Sequence, residues 1–113
     1  MTTSNGFAKK TIDVENRRFV LQALKFVNGY IVSVTEGKKK IGSMVASLAV
    51  GPKPVTSTII PAKTESFFLK LLSERICSKI QGIAIISAFF EKDLDNNTAR
   101  NIMSNVMEMI EDD

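Results

Sequence analysis

Any chemistry in this 113-residue chain has to be done without histidine. That removes the commonest general base and the commonest metal ligand. Ser-His-Asp and Cys-His arrangements cannot be assembled, and the single cysteine, Cys77, is too few for a zinc site. Glu91, Asp93 and Asp95 are the densest acidic group before the terminal Glu111-Asp112-Asp113, and a carboxylate pair can act as acid and base. Their spacing equally describes a solvated loop and a helix cap, which is the reading adopted. Gly37 to Gly42 has the glycine spacing of a phosphate loop. Ser43 stands where the lysine is needed, however, and the segment joins two strands, so it is rejected. Cys77 falls off the apolar stripe of its helix, with only Arg75 and Lys79 as nearby cations, and reads as an inert thiol. No catalytic, cofactor-binding or metal-ligating residue is assigned, and no enzyme is expected.

Binding is better served. Lys38, Lys39 and Lys40 form the sharpest charged feature, placed on a turn. They could meet phosphate or an acidic protein surface. Nucleic acid is disfavoured: aromatics interleaved with the basic residues would favour it, but Tyr30 is the only tyrosine and tryptophan is absent. The charge is split along the chain. Residues 1–63 carry ten Lys/Arg against three Asp/Glu, and residues 64–113 carry five against nine. Such asymmetry marks either a basic face or two halves that pair within one fold.

The positioning elements follow from periodicity. Residues 17–28 and 30–36 read as strands, with Asn28-Gly29 as a hairpin signal between them. Residues 41–50 return as a third strand after the lysine turn, giving an antiparallel meander. Residues 11–14 begin an alternating stretch with a turn at Glu15-Asn16, and residues 55–60 form another short strand. A helix to about Ile80, capped by Thr64 or Ser66, places Phe68, Leu69, Leu72, Ile76 and Ile80 on one stripe and ends at Gly82. Residues 82–90 are apolar on both faces, as in a central strand. A last helix, capped by Asp95 or Asn97, carries Ala99, Ile102, Met103, Val106 and Ile110 on one side, with Met107 and Met109 at its edges.

The expected fold is α+β: an antiparallel sheet of five to six strands, meander first, packed with two amphipathic helices. Two helices cover one face of such a sheet. Strands 17–28 and 82–90 are apolar on both faces, so the second face should be left uncovered and should bind a partner. The competing expectation is that residues 7–14 and 55–60 fold over and close a small sandwich. The pairing contact is assigned to the face with Tyr30, Val32 and Val34, or to the edge with Met107 and Met109.

Length and composition fit a single domain over 1–113, with 1–8 flexible. No apolar run reaches the ~20 residues of a membrane span. The first residues lack the charged and apolar regions of a secretory leader, so none is expected. The lone cysteine suits a reducing compartment, the cytoplasm or nucleus.

The segment from Val32 through Thr35, Lys38-Lys39-Lys40 and Gly42 to Val45, followed by Lys53-Pro54-Val55, resembles the proteasome assembly chaperone 3 family. An aromatic-rich helix, an aliphatic strand and a C-terminal helix follow in the same order, so the resemblance spans about 9–110. It implies a non-catalytic chaperone for assembly of the 20S proteasome α-subunit ring. It also implies a heterodimer with a proteasome assembly chaperone 4-like subunit, with a homodimer open to the chain in isolation. Lys38, Lys39 and Lys40 are the expected α-subunit contact. The turn is two residues longer than the family pattern, and the chain ends in acids where other assembly chaperones carry a docking hydrophobic-Tyr-any tail. A roadblock or longin-like interaction platform is the alternative. Its helix between early strands has no counterpart here.

Overall fold

In the computed structural model, residues 2–4, 6–49, 51–62 and 67–110 are described, the first three by their backbone alone. The strands are Thr2–Ser4 (β1), Phe7–Val14 (β2), Arg17–Phe26 (β3), Gly29–Glu36 (β4), Ser43–Leu48 (β5), Val55–Ile60 (β6) and Ile83–Phe89 (β7). The helices are Phe67–Ile80 (α1), between β6 and β7, and Asn96–Met109 (α2). They make one sheet in the order β1-β2-β3-β4-β7-β5-β6. The α+β class holds, and the sheet gains a short seventh strand at its β2 edge. Part of the segment expected to be flexible, 1–8, therefore pairs as β1 and the start of β2.

The meander is β2-β3-β4, not the one expected from the lysine turn. β7 inserts between β4 and β5, parallel to β4 and antiparallel to β5. A parallel neighbour needs a long crossover, and β5, β6 and α1 together supply it. The apolar character of β7 on both faces explains why it takes the centre. Residues 37–42 consequently pass over the C-terminal end of β7 and do not close a tight hairpin.

Two turns illustrate how glycine and its substitutes are used. Glu15 and Asn16 both have positive φ, 51° and 65°, the geometry of a two-residue type I′ hairpin. The hairpin expected at Asn28-Gly29 sits one residue earlier. Phe26 pairs with Gly29, which leaves Val27 and Asn28 as the loop, and neither has positive φ. Gly29 lies inside β4 because a Cβ there would be 2.1 Å from the carbonyl oxygen of Ile83. Close strand approach, not turn geometry, requires this glycine.

Alternation then divides the sheet. Phe19, Leu21, Val32, Val34 and Ile86 point to one side and pack with Leu72 and Ile76 of α1 and Ile102 and Val106 of α2. Phe90 stands edge-on to Phe19 and Phe68, with ring centroids 6.0 and 5.8 Å apart. Asp95 caps α2 by accepting from the Thr98 N–H at 2.7 Å, while the proposed α1 caps, Thr64 and Ser66, lie outside the described residues. At the end of α1, Gln81 takes the positive φ, and the Gly82 N–H reaches the Cys77 carbonyl at 3.1 Å. The α1 stripe is wider than periodicity indicated. Cys77 is fully buried beside it, and burial pushes its thiol pKa up.

Candidate protein-interaction surface

Among the described residues, no helix lies on the other side of the sheet. Its residues follow from the register. Phe7, Leu24, Ile31, Ile85 and Ala46 run side by side across β2, β3, β4, β7 and β5. The next row towards one end holds Phe26, Gly29, Ile83, Leu48 and Val55. The row on the opposite side is Lys9, Gln22, Ser33, Ser87, Met44 and Ile60. Beyond it lie Val20, Thr35 and Phe89. The face is thus apolar at one end of the strands and mixed at the other, where Lys9, Gln22, Ser33 and Ser87 lie among apolar residues.

Exposure decides that this is surface. Ile31 is 43% exposed and Phe26 47%, whereas Val32 and Ala23, which face the helices from the same two strands, are both 1%. Six strands at ~4.8 Å spacing and seven residues at ~3.3 Å give a face of roughly 670 Å². Standard protein interfaces bury about 800 Å² per partner. The stretches 7–14 and 55–60 lengthen the sheet at its two sides and do not fold over to close it.

At the mixed end of the strands, but on the side that the helices cover, lies a buried ion pair. The Arg17 guanidinium donates to both Glu36 carboxylate oxygens, at 2.8 and 2.7 Å, and both side chains are nearly inaccessible. Arg17 also donates to the carbonyls of Lys92 and Asp93, and Glu36 accepts the Glu91 N–H. These bonds fix the β7–α2 loop to the ends of β3 and β4. Hydrogen bonds from Arg17, then from the Glu91 N–H, hold the Glu36 carboxyl below its usual range, against the opposing effect of burial.

The 37–42 loop is anchored beside this pair. A Cβ on Gly42 would lie 2.1 Å from the Ala88 carbonyl oxygen, and the Gly42 N–H donates to Ser87 Oγ at 3.2 Å. The two glycines that mimicked a phosphate loop therefore serve a close crossing and, at Gly37, a positive φ of 74°. The loop separates its lysines. Lys40 Nζ stands 4.8 Å over the Phe89 ring, on the open face. Lys38 and Lys39 are exposed, and Ile41 protrudes next to them at 74% exposure.

The remaining expected contacts move. Tyr30, Val32 and Val34, the expected pairing face, are buried beneath the helices and are not on the uncovered side. β4 alternates as expected, but its inward set is the one with the larger apolar residues, and Ile31 is left outside. Met109 is buried in the core and Met107 is half-buried, so neither is a free apolar edge. Among the groups that periodicity missed are Arg17 and Glu36, 19 residues apart in sequence, and the Ser47, Thr56 and Ser73 hydroxyls. Ser47 Oγ lies 2.7 Å from both of the others, and Thr56 donates to Glu74 at 2.6 Å, tying β5 and β6 to α1. Glu91, Asp93 and Asp95 do not converge. Asp95 caps a helix, Asp93 offers its carbonyl to Arg17, and Glu91 its N–H to Glu36. Among the described residues, no group of three His, Cys, Asp or Glu side chains could hold a metal ion, and no helix could cross a membrane.

No protein-family model matches the sequence, and no curated protein matches it either. The fold does have a solved counterpart. A chain in the crystal structure of a chaperone complex for yeast 20S proteasome assembly superposes with a TM-score of 0.66 at 13% identity. The match covers 93% of this chain and 97% of that one. This chain therefore has the same fold as a component of that complex, over nearly its whole length.

Proposed function

We propose that this protein is a non-catalytic chaperone that pairs with a related subunit in the cytoplasm and helps assemble the α ring of the 20S proteasome. The observation that carries the reading is the fold shared, end to end, with a chain of a proteasome-assembly chaperone complex. The sequence resemblance to the proteasome assembly chaperone 3 family points the same way. The open sheet face supplies a means of pairing, since it is close to the size of a standard interface and no helix among the described residues covers it. Lys38 and Lys39, exposed on an anchored loop, supply steering charge towards an α subunit. Transient binding then favours one assembly intermediate by mass action.

Affinity capture from a native extract tests this reading. Recovery of α-ring subunits with a second small chaperone supports it, and recovery of neither removes it. Reversing Lys38 and Lys39 to Glu should weaken α-subunit recovery at low salt and leave pairing intact.

A further inference from the structure

The charges on the open face bear on which sheet can cover it. Four charged side chains from the described strands and the 37–42 loop lie on or over this face: Lys9, Asp13, Arg18 and Lys40. Asp13 and Arg18 neutralise each other at 2.9 Å. Lys9 and Lys40 have no ion-pair partner among the described residues, and Lys40 lies over Phe89 of the central strand β7. The face is thus apolar at one end and carries uncompensated cations towards the other.

A second copy fits such a face poorly. Sheets packed face to face keep their strands nearly aligned, and a two-fold axis between them must lie in the interface. With the axis along the strands, apolar end meets apolar end. Lys40 then opposes Lys40 of the other copy near the centre, and Lys9 is buried over Met44 and Ile60. With the axis across the strands, both lysines are laid on the other copy's apolar end. The carboxylate that a second copy brings from the described residues of this face, Asp13, is already held by Arg18, and an uncompensated buried charge is costly.

Resting on the pairing reading above, we infer that Lys9 and Lys40 select against self-association, and that the partner is a related sheet face with a carboxylate opposite Lys40. The lysines act here as a repulsive element that separates the right partner from the wrong one. Both are exposed, so they can be changed without disturbing the core.

Sedimentation of purified chains at low salt tests this without any other protein. The wild type should associate weakly, and K9M/K40M should self-associate roughly tenfold more tightly or better. Wild type mixed with K40E should form mixed dimers in excess over self-dimers of either chain. A wild type that dimerises as tightly as K9M/K40M would overturn the inference, as would purely statistical mixing with K40E. Because only this chain is present, these outcomes are independent of whether α subunits are captured from an extract.

Discussion

Leu21 and Leu24 lie on the same strand and face opposite sides of the sheet. Leu21 has no exposed surface and packs under the helices, while Leu24 is 38% exposed, with Phe7 and Ile31 beside it. The same residue type serves the fold on one side and is left open on the other. Apolar content alone therefore does not define a core. Two helices cover one face of this sheet, and no helix among the described residues covers the second. The apolar residues on the second face add little to the stability of the isolated chain, yet they stay aligned across five strands.

Substitutions can break this contrast from the covered side. Glu36→Ala should have the largest effect, because it strands Arg17 beneath the β7–α2 loop. A loss of about 3–5 kcal/mol is expected in urea unfolding. Leu21→Ala removes a fully buried side chain and should cost about 2–5 kcal/mol by the same measurement. Acidification acts on the Glu36 pair more gently. The folded carboxyl titrates below its unfolded value of about 4.3. Its stabilisation is therefore complete above that pH and is lost as the pH falls through the lower, folded value. The melting temperature should drop below about pH 4, and Glu36→Gln should flatten that drop.

The open side should respond in the opposite sense. Leu24→Ala should cost less than about 1 kcal/mol in the isolated chain, since much of the side chain is already in water. Its effect should appear in partner binding. If Leu24→Ala destabilised the isolated chain as much as Leu21→Ala, the two faces would not differ as described.

Much of this architecture is legible in the sequence. The alternation of residues 30–36, the two-sided apolar run 83–89 and the stripe of α2 specify a sheet with helices on one side. The same counting suggests an uncovered face, but only the placing of 7–14 and 55–60 within the sheet decides against a closed sandwich. Which residues occupy that face does not follow from the counting. Alternation gives two sets per strand, and the choice between them depends on where the helices land. On β4 the bulkier set, Tyr30, Val32 and Val34, is the one the helices cover. The position of β7 is also illegible locally, because pairing order is a property of the crossover and not of any segment. The Arg17–Glu36 pair was hidden for a related reason: it joins strand ends that become neighbours only after the β3–β4 hairpin forms. At Gly29 and Gly42 the glycines were visible but their purpose was not, since close approach to Ile83 and Ala88 arises only once β7 is in place.

The most direct test places charge in the middle of the open face. Leu24→Asp/Ile31→Asp and wild-type chains would be used for parallel capture from native extract, with circular dichroism and melting confirming that the variant is folded. Wild type is expected to recover a second small chaperone subunit together with α-ring subunits, and the folded variant to lose that small subunit. Equal recovery of the small subunit by the two chains would contradict the assignment of the open sheet face as the pairing surface.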